Sequence, residues 1–230
     1  MGRKAILFLL IALTGARPAM GQSPDQAPAR DPGRNVNVFA ITEALEKNRE
    51  ALARYTWKLK LEVALEGALL SEELFQASYN ADGTLRSDVL EASETALVRR
   101  RGRKARRDRE HRQRLKNLLM AYVEMPPERL DDAMTNAVST DNPAGGSTTR
   151  VQARGAIREG DSYDLWIDTA TRRPHRFEVF TSLQGEPVRL VAGFERLENG
   201  PVYPAEATVE TEVGEKKMVI SIRNYDFEKL

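Results

Sequence analysis

The sequence predicts an α+β protein built on one strongly curved antiparallel sheet. We expect a half-barrel of about eight or nine strands, with an N-terminal helix and inserted helices covering its concave face. Three observations lead to this prediction. Residues Tyr55–Leu65 alternate between apolar and polar side chains, residues 96–123 contain a helical apolar repeat, and residues 149–230 form a series of short strands separated by turns.

The N-terminus has the pattern of a secretory signal peptide. Arg3 and Lys4 precede the nine apolar residues Ala5–Leu13, a run that is too short to span a bilayer. The small residues of Ala19-Met20-Gly21 then provide a cleavage site. We therefore expect residues 1–21 to be removed on export.

The rest of the chain is expected to be one exported domain. Residues 22–34 are rich in Pro, Asp, Gln and Gly and predict a flexible leader, and residues 35–230 are long enough for a single domain with a well-buried core. The chain contains no cysteine, which excludes a lipid-anchoring thiol, disulfides and thiolate metal ligands. We expect a soluble periplasmic protein with no lipid anchor and no transmembrane span in its mature form.

The first half of the domain predicts a helix followed by three strands. Val36–Leu52 places its apolar residues on one face at helical spacing. Tyr55–Leu65 follows the two-residue period of a strand with one buried and one solvated face. Leu70–Tyr79 and Leu85–Ala92 then flank Asp82-Gly83, which is a strong hairpin turn.

Helices are predicted to be inserted after the third strand. Residues 96–123 contain no proline and predict a basic helical insertion. Four apolar residues near its end lie at i, i+3, i+4 and i+7 and should dock on the sheet: Leu115, Leu118, Leu119 and Tyr122. A second short helix is predicted over Glu128–Val138, followed by a loop over Ser139–Ser147.

The last third of the chain predicts a strand meander. Alternating apolar residues recur from Val151 to Tyr225, and turn sequences separate them at regular intervals. These turns lie at Glu159–Asp161, Gln184–Pro187, Glu198–Pro201 and Gly214.

The region Arg99–Lys116 is intensely basic. It holds eleven Lys and Arg residues against two acidic residues, in a chain whose net charge is +1. It is either a solvated, partly disordered helix or an anion-binding arm. Export and the lack of interleaved aromatic residues argue against nucleic acid, so lipid headgroups, an anionic membrane surface or an acidic envelope protein are the expected partners. The candidate contacts are Arg99, Arg100, Arg101, Arg103, Lys104, Arg106 and Arg107.

The sequence does not predict an enzyme. Its two histidines, His111 and His175, occur in no zinc-binding pattern, and no nucleophile elbow, phosphate loop or dinucleotide fingerprint is present. Asp161, Asp164 and Asp168 lack the spacing of a calcium loop. We interpret Asp164 and Asp168 as solvated residues at strand ends, and we expect neither cofactor nor metal.

A local motif in the meander resembles a known superfamily. The residues Gly160-Asp161 and Asp164-Leu-Trp-Ile-Asp168, followed by Pro174 and Arg176-x-Glu178-Val179, resemble a pattern in the LolA/LolB-like periplasmic lipoprotein carriers. The RseB-type regulator domains share that fold. The predicted order of signal, helix, three strands, inserted helices and meander is also similar.

This resemblance implies a binding protein whose half-barrel holds a lipid or a lipoprotein acyl chain. The alternative that it implies is an RseB-like interaction or stress-sensing module whose basic segment contacts an acidic partner. The same apolar residues would equally serve as an ordinary core beneath the helices. The candidate cavity residues are Trp57, Leu59, Leu61, Val63, Phe75, Tyr79, Trp166, Phe177 and Phe194.

Overall fold

The computed structural model of the chain describes a large antiparallel sheet with helical residues packed against it. It describes residues 47–80, 84–94, 110–115, 117–119, 122, 133, 137–141, 147–155 and 157–230. Within these residues the strands are β1 (Tyr55–Leu65), β2 (Ala68–Tyr79), β3 (Leu85–Glu94), β4 (Val138–Asp141), β5 (Thr148–Arg154), β6 (Ser162–Asp168), β7 (Pro174–Leu183), β8 (Glu186–Arg196), β9 (Val202–Glu212) and β10 (Lys217–Lys229).

All the strands of the described residues belong to one open sheet, in the order β3-β2-β1-β10-β9-β8-β7-β6-β5-β4. Every neighbouring pair is antiparallel. The C-terminal strand β10 pairs with β1, which joins the N-terminal hairpins to the meander. The predicted antiparallel α+β class is confirmed, and the part of the chain that the structure describes contributes ten strands to the sheet rather than the expected eight or nine.

The sheet has an apolar face and a polar face. Directly opposite residues of antiparallel strands point to the same side. Leu59 of β1 lies opposite Phe75 of β2, whereas Lys60 lies opposite Arg223 of β10. The apolar face is the side of Leu59 and Phe75, and the polar face is the side of Lys60 and Arg223.

Residues from every part of the sheet except β3 and β4 contribute to one buried core. The core residues of the strands are Trp57, Leu59, Leu61, Val63, Phe75, Ala77, Tyr79, Val151, Ala153, Tyr163, Leu165, Ile167, Phe177, Val179, Leu183, Val188, Leu190, Ala192, Ala207, Val209, Met218 and Ile222.

The first strands form where the sequence predicts them. The bounds of β1 match the predicted strand Tyr55–Leu65, whose alternation places six apolar side chains on one face and buries the four central ones. The next two predicted strands are confirmed as β2 and β3. The predicted N-terminal helix is observed over residues 47–52, and its earlier part lies outside the described residues.

The predicted loop over Ser139–Ser147 is wrong at its beginning. Val138–Asp141 forms β4, which pairs with Thr149–Gln152 of β5. This also removes Val138 from the predicted second helix, of which residue 133 is described as helical. A strand this short gives too few alternating positions to stand out in the sequence, and its pairing with β5 determines it instead.

The turn between β7 and β8 shows how local sequence sets the register of the meander. Gln184 and Gly185 have φ angles of 58° and 91°. Two successive positive φ angles define the two-residue turn whose twist matches that of a hairpin. The predicted turn at Gln184–Pro187 is therefore confirmed, and it aligns Leu183 with Glu186.

Candidate functional site

The apolar face gathers eight of the nine predicted cavity residues. Trp57, Leu59, Leu61, Val63, Phe75, Tyr79 and Phe177 belong to the buried core, and Phe194 packs against it. Their side chains are between 0% and 7% exposed, apart from Phe194, which is partly buried. The face is therefore closed to solvent in this structure.

Trp166 does not belong to the apolar face. Its neighbours on β6, Tyr163, Leu165 and Ile167, point into the core, and alternation along the strand turns Trp166 to the opposite side. The Trp166 ring instead lies against the guanidinium groups of Arg150 and Arg176. The prediction that Trp166 lines the cavity is wrong, because its position in the alternating strand, and not its apolar ring, determines the face on which it lies.

An aromatic group forms one end of the apolar face. The Trp57 ring stacks on Phe227 at a centroid distance of 5.5 Å and lies at the same distance from Tyr79. The strand β10 reaches this position because its register shifts near Asp226, whose φ angle is 53°. Such a bulge turns the following side chain toward the other face.

The indole of Trp57 is fixed by a buried hydrogen bond. Its Nε1–H donates to Oδ1 of Asn224 at 3.1 Å, and Nδ2 of Asn224 donates to the carbonyl of Pro204 at 2.7 Å. The indole N–H of Trp57 and both polar groups of Asn224 therefore have hydrogen-bond partners inside the core, where an unpaired group would be costly. Hydrogen bonds and ring contacts thus both fix the position of Trp57 at this end of the face.

A helical segment covers the apolar face. We call residues 110–115, 117–119 and 122 the covering segment. Leu115, Leu118, Leu119 and Tyr122 are all buried in the same core cluster as the strand residues. The predicted docking of these four residues on the sheet is confirmed.

A polar contact fastens the covering segment to the sheet. The hydroxyl of Tyr122 donates a hydrogen bond to Oδ2 of Asp161, and it lies 3.0 Å from Oγ1 of Thr181 on β7. A hydroxyl has one proton, so it donates to the carboxylate and accepts from Thr181. The backbone N–H of Arg158 also donates to Asp161 Oδ2, at 2.7 Å. We call Tyr122, Asp161 and Thr181 the latch.

Burial raises the pKa of Tyr122, and the bond to Asp161 raises it further. The phenol therefore stays protonated and can continue to donate throughout the physiological range. The sequence predicted that Tyr122 docks but gave no indication of its partners. Asp161 lies in the turn before β6, and only the folded β5–β6 hairpin brings it close to the covering segment.

The helix at residues 47–52 is held by a separate pair of hydrogen bonds. The Asn48 amide donates to the carbonyl of Val202 and accepts from its N–H, each at 2.7 Å. Its neighbour Leu52 belongs to the core. This helix is therefore attached at the start of β9, away from the latch.

The polar face carries charge pairs. Two shallow depressions of about 360 and 290 Å³ lie on either side of Lys60. Lys60 binds Glu62 at 2.8 Å and Glu72 at 3.0 Å, so its charge is already neutralised. Among the described residues no group of His, Asp and Glu side chains could hold a metal ion, and no helix is long and apolar enough to cross a membrane.

The two predicted strand-end aspartates differ in the structure. Asp168 accepts bonds from Thr171 and Ser147 at an exposed turn, and these bonds lower its pKa. Asp164, however, is 1% exposed and is ion-paired with Arg150. The interpretation of Asp164 as a solvated residue is wrong, because the side chain of Arg150 covers it. The predicted anion-binding residues 99–107 lie outside the described residues and stay a prediction.

The chain was compared with family models, curated proteins and solved structures. No family model and no curated protein matches the chain. Among solved structures, the chain is similar to a LolA superfamily protein from Nitrosomonas europaea at 12% sequence identity. The alignment covers 83% of this chain and 93% of that chain, with a TM-score of 0.39.

Proposed function

We propose that the protein is an exported, non-enzymatic binding protein that holds a lipid or a lipoprotein acyl chain between the apolar face and the covering segment. The proposal is carried by one observation. A broad apolar sheet face is covered by a helical segment that is attached through a small polar latch. An acyl chain needs only such an apolar surface to bind.

The free energy gained by binding an acyl chain is comparable with the free energy lost when the covering segment leaves the sheet. Burying the three leucines of the covering segment contributes about 2 kcal/mol each, or about 6 kcal/mol together. An acyl chain gains about 0.8 kcal/mol for each buried methylene, on the order of 10 kcal/mol for the whole chain. Adding the buried ring of Tyr122 brings the cost of moving the covering segment to about 8 kcal/mol before the latch is counted, so an acyl chain can replace the segment without a large net cost.

The covering segment must separate from the sheet for this exchange. The charge-assisted bond between Tyr122 and Asp161 opposes that movement, and it contributes about 2 kcal/mol. This is small beside the gain from an acyl chain. The closed face of the structure is then the ligand-free state, and the latch sets how often it opens.

Joining the covering segment to the sheet covalently tests this mechanism. The chain has no cysteine, so Tyr122→Cys and Thr181→Cys together provide the only two thiols. A flexible bismaleimide linker replaces the length of the tyrosine ring. We expect the linked protein to lose binding of a long-chain fatty acid that carries an environment-sensitive fluorophore, because the segment can no longer leave the face.

Two controls isolate the effect of the link. The same double variant with both thiols blocked by N-ethylmaleimide should still bind the probe. A second linked pair, Glu195→Cys with Tyr203→Cys, replaces another contact of a tyrosine hydroxyl, 3.1 Å long, that does not involve the covering segment. Because Tyr203 packs on Phe227, this linked protein is compared with its own N-ethylmaleimide-blocked form, and the two should bind the probe equally. Equal binding by both linked proteins would contradict the exchange mechanism.

The proposal includes a periplasmic location after removal of residues 1–21. Immunoblots of fractionated cells would test it: a shortened protein in the periplasmic fraction is the expected result, and a full-length cytoplasmic protein would contradict it. In this proposal the basic residues 99–107 help the protein to approach an anionic surface, such as lipid headgroups.

A further inference from the structure

The polar face carries a second cluster of side chains, on the opposite side of the sheet from the proposed acyl-chain site. Arg150, Trp166 and Arg176 lie directly opposite one another on β5, β6 and β7. The guanidinium carbons of the two arginines lie 5.4 and 5.3 Å from the centre of the Trp166 ring. On β8, Arg189 lies 5.5 Å from the ring of Phe180. We call these five residues the arginine–aromatic patch.

Two buried carboxylates hold the arginines of the patch in place. Asp164 and Glu178 lie directly opposite each other on β6 and β7 and are almost completely buried. Arg150 binds both oxygens of Asp164, each at 3.0 Å. Glu178 receives Arg189 Nε at 2.6 Å and Arg176 Nη2 at 3.0 Å.

Stability alone does not account for this arrangement. Like charges directly opposite each other destabilise a sheet, and buried ion pairs are often no better than apolar residues of the same size. The carboxylates instead fix the positions of the arginine side chains. Each arginine binds a buried carboxylate, and its side chain remains 42–43% exposed. Arg189 Nη1 also lies 3.8 Å from Oε2 of Glu210. Because three guanidinium groups share two buried carboxylates, the patch keeps an excess of positive charge in a fixed geometry.

We propose that the arginine–aromatic patch is a docking surface for an acidic, extended polypeptide segment of a partner protein. Arg150 and Arg176 are on strands two apart, which separates them by about 10 Å. One carboxylate or phosphate is too small to meet both. Carboxylates on one side of an extended chain are about 7 Å apart on a strand and about 9 Å apart on a polyproline II helix, so two of them can reach the two arginines. Trp166 and the 44% exposed Phe180 add apolar contact, and Trp and Arg are typical of binding hot spots.

The two tryptophans of the chain make this proposal directly measurable. The Trp57 indole N–H is buried and bonded to Asn224, whereas Trp166 is partly exposed in the patch. A titration of ¹⁵N-labelled protein with decaglutamate should shift the Trp166 indole signal and leave that of Trp57 in place. The shift should weaken as salt is raised, and decalysine should not produce it. An unchanged Trp166 signal, or an equal response to decalysine, would overturn the proposal.

Two double variants, each of which leaves the net charge of the protein unchanged, separate the effect of the patch from that of the overall charge. Arg150→Gln with Asp164→Asn removes one guanidinium of the patch and its carboxylate, so no buried charge is left unpaired. Lys58→Gln with Asp226→Asn removes an exposed pair of the polar face, 2.9 Å long, outside the patch. We expect the first to raise the dissociation constant for decaglutamate about tenfold and the second to leave it unchanged. Equal affinities in both variants would overturn the proposal.

Discussion

Replacing Tyr122 by phenylalanine removes the latch while keeping the ring that packs in the core. Tyr122 is 1% exposed, and its hydroxyl donates to the buried carboxylate of Asp161. A hydrogen bond to a charged group contributes about 1.5 to 3 kcal/mol. Asp161 keeps its bond from the Arg158 N–H, which limits the penalty of leaving it buried. We therefore expect Tyr122→Phe to weaken docking of the covering segment by about 2 kcal/mol.

This loss corresponds to roughly thirtyfold more frequent opening of the covering segment. Hydrogen exchange followed by mass spectrometry would measure it as faster exchange in peptides that span residues 110–122. A stopped-flow experiment should also show faster uptake of the fluorescent fatty acid, since uptake requires opening. The unfolding midpoint in urea should fall if the segment opens as part of global unfolding.

Tyr203→Phe is the matched control for this experiment. The hydroxyl of Tyr203 also donates to a carboxylate, Glu195 Oε2 at 3.1 Å, but this pair is exposed. Its loss should change stability by less than about 0.5 kcal/mol. If Tyr122→Phe and Tyr203→Phe gave the same exchange and the same uptake rate, the reasoning about the latch would be refuted.

Three further predictions follow from the described contacts. Burial raises the pKa of both Tyr122 and Tyr163 above the ordinary value of about 10, so these tyrosines lose their protons more easily in the unfolded chain than in the folded one. The free energy of unfolding should therefore fall as the pH rises through about 10, which absorbance at 295 nm during alkaline titration would detect. Reversible ionisation of all tyrosines without unfolding would contradict this. Arg150→Gln leaves the buried Asp164 without its ion-pair partner and should lower the free energy of unfolding in urea by about 2 kcal/mol, less than usual because the arginine is half-exposed. Adding Asp164→Asn should recover most of this loss. No recovery would count against a buried charge as the cause. Leu190→Ala opens a cavity at a fully buried position on β8 and should lower the free energy of unfolding by about 3 kcal/mol. A loss below about 1 kcal/mol would show that the core is not tightly packed at this position.

Much of the fold is predictable because one face of the sheet is buried and the other is not. The alternation in β1 requires a single register, and the helical spacing of Leu115, Leu118, Leu119 and Tyr122 is enough to identify the buried side of the covering segment. The strand β4 has no such signal, because its four residues gain their conformation from pairing with β5.

The contacts that define the two sites are less accessible to sequence reasoning. The latch joins Tyr122 to Asp161, and the patch places Arg150 against Asp164, through strand registers that no local pattern specifies. Trp166 is different, because its position between Leu165 and Ile167 in an alternating strand already indicates the polar face. Alternation therefore outweighs residue type when a strand residue is assigned to a face.

The central claim is that an acyl chain occupies the apolar face, and native mass spectrometry of protein purified from the cells that export it tests this most directly. We predict a population whose mass exceeds that of the mature chain by one lipid or acyl chain, and we predict that adding a fatty acid converts the remaining protein to the same bound form. Protein that is free of lipid and that also fails to take up added fatty acid would contradict the proposed function.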